Sequence, residues 1–197
     1  LLAESEPKEI RVIENIAQRR YTQGEIHELQ FQIPQAASYY SQAVQLAPSN
    51  VSYRYHYGWF LINTGEVRMA IPQFEKVVIL GPASGNLLIE GDALSSLGFA
   101  YFELDQYAKA IEYHDKALAI RRKMEDLMGE AISLGNLGLV AHSLGEPTKA
   151  IKYYEESLAI SRRIIDVRGE CIQLGNLGTV YDTLGQYAKA IEYYEKV

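Results

Sequence analysis

The sequence lacks the features that mark several common classes of protein. Cys171 is the only cysteine among 197 residues, which excludes an intrachain disulfide and a zinc site built on thiolates. No apolar run approaches the roughly 18 residues that a bilayer-spanning helix requires, and no signal peptide is visible. The net charge of −6 argues against a nucleic-acid groove or an anionic membrane surface as partner. We therefore expect a cytoplasmic protein with no nucleic-acid partner and no membrane insertion.

Groups of residues that would indicate catalysis or metal binding are also missing. The four histidines lie in different segments without the spacing of metal ligands, at His27, His56, His114 and His142. Serine, histidine and aspartate show no arrangement that favours nucleophilic catalysis. The sequence thus predicts no metal, no cofactor and no enzymatic activity.

Two exact repetitions reveal an internal period. The octapeptide QYAKAIEY occurs at 106–113 and 186–193, eighty residues apart, and LGNLG occurs at 134–138 and 174–178, forty apart. Both agree with one period of forty, on which Gly58, Gly98, Gly138 and Gly178 fall. Such a period is typical of a repeat protein in which each unit packs on its neighbours.

Within each unit the apolar residues follow helical spacing. In the fourth unit they recur in steps of three and four before and after the turn Leu144–Pro147, and Pro147 suits the first turn of a helix. Each unit is therefore predicted to be two antiparallel helices. Because one hairpin cannot bury its apolar face alone, we predict an all-α fold of stacked hairpins, an α-solenoid.

The recurring residues resemble the tetratricopeptide repeat family. That family has Leu-Gly, Tyr, Ala, Phe and Pro at fixed offsets, and this chain matches in the second unit at Tyr57-Gly58, Leu61, Ala70, Phe74 and Pro82. The resemblance implies a single right-handed superhelix covering residues 17–197, after an N-terminal helical extension at 1–16. The predicted repeats are 17–50, 51–90, 91–130, 131–170 and a truncated 171–197. Forty-residue units with Leu-Gly-Asn are similar to those of kinesin light chains and of polarity proteins, and bacterial signalling ATPases carry similar arrays.

Three units are six residues longer than the usual repeat of about 34. We expect the insert Gly85–Glu90 to form a loop and an early helix start. The inserts Glu125–Glu130 and Ile165–Glu170 follow basic helical runs, so the second helix is expected to continue and to end near Gly129 and Gly169.

Two further expectations follow from the register of the repeat. His114 stands where the repeat has an aromatic residue, so it is expected in the core. The basic residues of 121–123 and 162–163 lie near helix C-termini, where cations oppose the helix dipole.

The LGNLG segments first suggest a phosphate loop, but they lie inside a helical pattern and do not follow a strand. Gly138 and Gly178 are instead expected to permit close packing of helices. Asn136 and Asn176 lie about 200° round the helix from these glycines. They are either solvated or, as the family resemblance implies, line the concave groove and hydrogen-bond the main chain of a bound peptide. Gly135 or Gly175 on that face would let a ligand backbone come close.

The register identifies a candidate groove on the first helices of the repeats, aromatic in its N-terminal half and rich in small and amide side chains beyond. Trp59 either anchors a partner or packs against a neighbouring helix. The groove lacks the basic residues with which related domains grip chaperone C-termini. Its predicted residues are Tyr55, His56, Trp59, Asn63, Phe99, Phe102, Asn136, Leu139, His142, Asn176 and Thr179.

We predict a protein–protein interaction module that binds a peptide or helix of a partner protein in this groove. The alternative is a sensor or regulatory arm of a larger signalling protein, either an ATPase switch or a peptide-responsive regulator. Because Val197 lies within a predicted helix and no polar capping helix follows, the chain is expected to be a fragment of a longer array. Its uncapped C-terminal end would be available for self-association.

Overall fold

The computed structural model describes residues 6–81 and 87–197, apart from the side chains of residues 6 and 7. Within these residues the chain is all-α, as predicted, and contains no strand. Its helices are α1 (Glu6–Leu29), α2 (Ile33–Leu46), α3 (Val51–Asn63), α4 (Val67–Leu80), α5 (Leu87–Glu103), α6 (Tyr107–Lys123), α7 (Leu127–Ser143), α8 (Pro147–Arg163), α9 (Val167–Thr183) and α10 (Tyr187–Tyr194). Part of the first insert (residues 85–86), Pro82 and the start of the expected extension (residues 1–5) lie outside the described residues.

The helices form two compact units, Leu1–Ile89 and Glu90–Val197. In the first unit, α1 pairs with α2 and α3 pairs with α4. Buried aromatic and small residues fill its core, among them Ala36, Tyr40, Phe60, Ala70 and Phe74. Asn50 fixes the start of α3, because its side chain accepts a hydrogen bond from the backbone N–H of Tyr53.

In the second unit, α8 packs against both α7 and α9, and α9 packs against α10. The core between these helices consists of buried residues at repeat positions: Ala141, Ala150, Tyr154, Leu158, Leu174, Leu177 and Val180. Pro147 begins α8, as the sequence predicts. These core positions recur from hairpin to hairpin, which is how stacking buries faces that one hairpin leaves open.

Most of the short turns between the described helices have one residue in the left-handed conformation. Inside hairpins it is Phe31 in the first hairpin and then recurs every forty positions, at Gly65, Asp105, Gly145 and Gly185. Between hairpins it is Glu125 (φ 56°) or Ile165 (φ 60°), neither of which is glycine. These turns thus share one backbone geometry.

The structure contradicts the expectation that the second helices continue to Gly129 and Gly169. α6 ends at Lys123 and α8 at Arg163. Asp126 and Asp166 then cap the next helices, since their side chains accept hydrogen bonds from the backbone N–H groups of Gly129 and Gly169, each at 3.0 Å. The inserts lengthen the helices on both sides of the turn, so that α6 and α7 have 17 residues each.

The repeated glycines create space for an aromatic ring sixteen residues later. A Cβ atom on Gly58 would lie 2.6 Å from Phe74, and one on Gly178 would lie 2.5 Å from Tyr194. The same relation joins Gly24 to Tyr40, Gly98 to His114 and Gly138 to Tyr154. Both LGNLG segments lie within helices, α7 and α9, which confirms the packing role and excludes a phosphate loop.

Candidate functional site

In the first unit, the structure brings together all four predicted residues of α3. Tyr55, His56, Trp59 and Asn63 line one pocket of about 280 Å³. Glu28, Tyr40 and Phe60 complete its wall. A largely aromatic pocket with a few polar groups is suited to an apolar side chain of a partner.

Trp59 has features of both roles considered for it. Its ring meets Phe74 edge to face, with 6.2 Å between ring centroids, so part of it packs inside the hairpin. The indole is only partly buried and also lines the pocket. The packing positions the indole, and the pocket side stays accessible.

Hydrogen bonds fix the other walls of this pocket. The Tyr40 hydroxyl donates to Glu28 Oε2 at 2.5 Å, and burial together with Glu28 raises the pKa of Tyr40 above its usual value. The Tyr21 hydroxyl and His56 Nδ1 lie 2.7 Å apart, within hydrogen-bonding distance. Both phenols therefore stay neutral and hold their neighbours in place.

Phe99 and Phe102 belong to α5 in the second unit, and both are half-buried. Phe102 packs against Tyr107 at the start of α6, with ring centroids 5.8 Å apart. Much of its ring is therefore covered by its own hairpin, so Phe102 offers less surface than the sequence suggests.

The remaining predicted residues lie on the neighbouring helices α7 and α9. Asn136 and His142 are half-buried, and Leu139 is 38% exposed. Asn176 Nδ2 donates to Gln173 Oε1 at 3.3 Å, within α9. His142 Nε2 lies 3.4 Å from Thr183 Oγ1 and links the two helices. Thr179 is exposed, and its hydroxyl donates back to the carbonyl of Gly175 at 3.0 Å.

The first glycines of the two LGNLG segments have different surroundings. A Cβ atom on Gly135 would lie 3.0 Å from the amide nitrogen of Gln173, so α9 already occupies that space. The expectation that a ligand backbone approaches there is wrong for Gly135. At Gly175 a Cβ atom would meet no atom within 4 Å, so the prediction stands for that position alone.

His114 lies in the core, as predicted. It is 2% exposed, and burial lowers its pKa from 6.5 to about 4. Its Nδ1 has no hydrogen-bond partner among the described residues. The ring is therefore neutral at physiological pH and acts as an aromatic packing residue.

A second pocket, of about 360 Å³, lies between α7, α8 and α9. We call it the α8 slot; its wall includes Met128, Ile132, Ser161, Asp166, Gly169 and Ile172. The sequence analysis did not identify it. The signal was present in the period of forty, because Ser161 replaces Arg121 while Asp126 and Asp166 are both retained.

Arg121 shows what fills the corresponding space one repeat earlier. Its side chain is 5% exposed, and its guanidinium is ion-paired with Asp92 and, at 2.8 Å, with Asp126. Arg121 lies in the last turn of α6, as the sequence predicts, but its side chain is buried and ion-paired. The exposed Arg122 and Arg162 instead pair with Glu130 and Glu170, both at 2.8 Å.

Two further properties of the described residues concern metal ions and membranes. Among the residues of 6–81 and 87–197, no group of three histidine, cysteine, aspartate or glutamate side chains is placed to hold a metal ion. None of the helices in the described part of the chain combines the length and apolarity needed to cross a membrane.

Comparisons with known proteins agree with the repeat architecture. Family models described as tetratricopeptide repeat match residues 29–86, 90–163 and 129–197. None of the curated protein sequences compared matches the chain significantly.

Several solved structures are similar. A MamA protein is 25% identical over 92% of this chain and 89% of its own, with a TM-score of 0.70. BtubC (BKLC) from P. vanneervenii is 16% identical over 93% of this chain and 79% of its own, with a TM-score of 0.80. Kinesin-light-chain-like repeats from Podosopora anserina are 18% identical over 96% of this chain and 93% of their own, with a TM-score of 0.70. The last two likenesses concern the fold alone. Because the family models match most of its length and each unit is built of stacked helical hairpins, the chain belongs to the tetratricopeptide repeat family, whose members in general act as scaffolds for protein–protein interaction.

Proposed function

We propose that the chain binds an extended peptide or a helix of a partner protein along the first helices of its repeats. The observation that supports this most is the row of accessible groups on α7 and α9. Among the described residues none hydrogen-bonds the Asn136 side chain, and Asn176 has only a bond within its own helix. The same chemistry is thus offered twice, at positions forty residues apart on adjacent helices.

An amide side chain suits recognition of a peptide main chain. It offers two N–H donors and a carbonyl acceptor, which match the C=O and N–H groups of an extended segment. Leu139, at 38% exposed, lies one turn beyond Asn136 and supplies apolar contact beside the polar groups. Backbone bonds give affinity in such a site, and the adjacent side chains select the sequence.

The α3 pocket of the first unit is proposed as a second contact, described by itself. Trp59, Tyr55 and His56 line it, and aromatic side chains in concave pockets are the residues that most often dominate a binding interface. We expect an apolar side chain of the partner to enter there.

A random peptide library displayed on phage tests the proposal. Peptides enriched on the wild-type chain are synthesised, and their affinities for the N136A/N176A double variant are measured by calorimetry. Each lost hydrogen bond is worth about 1 kcal/mol, so affinity should fall by roughly 10- to 30-fold. Helicity should not fall, because alanine is the better helix former.

The matched control is K152A on α8, whose side chain is 75% exposed. It should leave the affinity unchanged. If no peptide is enriched, or if the double variant binds as tightly as wild type, the α7–α9 row is not the binding site.

A further inference from the structure

We propose that the α8 slot binds the guanidinium group of an arginine side chain presented by a partner polypeptide. Two neighbouring repeats support this, because each places a helix-capping aspartate, Asp126 or Asp166, at the corresponding site. One site is filled by Arg121, and the other has its carboxylate but no arginine. This proposal is independent of the groove on α7 and α9, and its test uses no cognate partner.

In the filled site, three features hold the guanidinium. Arg121 Nη1 donates to Asp126 Oδ2 at 2.8 Å, and Nη2 donates to Asp92 Oδ1. Gly129 leaves room for the stem, because a Cβ atom there would lie 2.4 Å from Arg121 Cδ. The other oxygen of Asp126 caps α7 through the N–H of Gly129. The carboxylate is therefore locked in place by the helix start and aimed at the cation.

Forty residues later the same carboxylate is held in the same way. Asp166 Oδ1 accepts from the N–H of Gly169 at 3.0 Å, and Oδ2 is left for another donor. Gly169 again carries no side chain, and a Cβ atom there would lie 2.2 Å from Asp166 Oδ2. The position of Arg121 is taken by Ser161, whose shorter side chain lines the slot.

The unpaired hydroxyl of Ser161 supports the presence of a ligand in the slot. Ser161 lines the slot and is 1% exposed, and its buried hydroxyl has no hydrogen-bond partner among the described residues. A buried hydroxyl without a partner is costly, so a ligand that bonds to it gains affinity. The hydroxyl oxygen accepts, and an arginine with its five donors can serve Ser161 and Asp166 together.

The remaining walls fit the aliphatic stem of arginine. Ile132 takes the place of Asp92, and Met128 and Ile172 flank it, each about half exposed to solvent. The slot volume of about 360 Å³ lies at the small end of ligand pockets, which suits one side chain. Apolar walls around a single carboxylate favour a long side chain with an apolar stem and a charged head.

Arg168 is the one other charged residue that lines the slot. It is exposed at the rim, where Met128 stands in the preceding repeat, and its charge opposes a cationic ligand. Removal of this charge therefore distinguishes a cationic ligand from an anionic one. The R168A change should tighten binding of a cation and weaken binding of an anion.

The experiment titrates the isotopically labelled chain with N-acetyl-L-arginine methylamide and follows the backbone amide of Gly169 by NMR. We expect saturable binding with a Kd on the order of 1 mM, typical of one side chain in a shallow site. The neutral isostere N-acetyl-L-citrulline methylamide should bind about tenfold more weakly or not at all. Free L-arginine should not bind more tightly than the capped form if the source is a polypeptide.

Three variants test whether the arginine derivative binds in the α8 slot. D166N retains the capping oxygen and should weaken binding about tenfold or more. S161R supplies the arginine of the preceding repeat and should abolish binding, and R168A should strengthen it. If S161R does not fold, D166N and R168A still decide the question. Equal binding of the citrulline probe, unchanged binding by D166N, or weaker binding by R168A would overturn the proposal.

Discussion

The ring of Tyr154 lies so close to Gly138 that a Cβ atom at position 138 would stand 2.6 Å from its Cε1 atom. Tyr154 is 1% exposed and cannot move aside without disturbing the core. We therefore expect G138A to lower the free energy of unfolding by about 1–2 kcal/mol, since overpacking exceeds the gain in helix propensity. Urea denaturation followed by circular dichroism measures the change.

G175A is the matched control for this prediction. Gly175 also lies in the interior of a helix, α9, but a Cβ atom there would meet no atom within 4 Å. Replacing a helical glycine by alanine in open space should stabilise the chain by about 0.5–1 kcal/mol. If both variants shift stability in the same direction, close packing is not the reason for Gly138.

His114 should make stability depend on pH. Its pKa falls from 6.5 to about 4 on burial, so the unfolded chain binds the proton more tightly than the folded chain. Above pH 6.5 the residue contributes no pH dependence. As the pH falls from 6.5 towards 4 stability is lost, and at pH 5 the loss is about 2 kcal/mol.

The comparison with H114F isolates this effect. Phenylalanine occupies the same position in the preceding repeat, at Phe74, so the variant should fold. The difference in unfolding free energy between H114F and wild type should grow by about 2 kcal/mol from pH 7 to pH 5. A constant difference would mean that His114 is accessible to protons in the folded chain.

Arg121 should be the basic residue on which the second unit depends most. R121A leaves Asp92 and Asp126 without their cation and opens a cavity beside Gly129. Removing one partner of a buried ion pair costs about 3–5 kcal/mol, and the two aspartates are partly exposed, so we expect about 2–4 kcal/mol. Thermal unfolding monitored by calorimetry measures it.

R162A is its control. Arg162 also pairs with a carboxylate at 2.8 Å, that of Glu170, but its side chain is 53% exposed. Surface pairs of this kind contribute about 0–1 kcal/mol. Equal effects of the two substitutions would show that burial does not determine the contribution of Arg121.

The register of the repeat predicted the core well, because the same positions are buried in successive repeats and each ring packs on the glycine sixteen residues before it. The sequence predicted that Gly138 and Gly178 permit close packing of helices and that His114 lies in the core, and both predictions are confirmed. The α3 residues were also grouped correctly into one wall, since they share one helix face. That the wall binds a partner stays a prediction.

What the sequence could not reveal depends on contacts between residues far apart in the chain. A basic run at a helix end looks the same whether its first member is buried or solvated, so the burial of Arg121 between Asp92 and Asp126 could not be predicted. Gly135 looked open for a similar reason, since Gln173 reaches it from the next repeat. The error about the two inserts has another cause, because the capping aspartates Asp126 and Asp166 are local signals for a new helix start that the sequence does contain.

The left-handed turn residues at 65, 105, 145 and 185 set the step by which such a chain can change its length during evolution. Gain or loss of forty residues returns every glycine to its ring and every turn to its helix. An insertion between Gly138 and Tyr154 would instead separate this glycine from its ring. We therefore expect the architecture to tolerate gain or loss of a whole hairpin more readily than an insertion inside one.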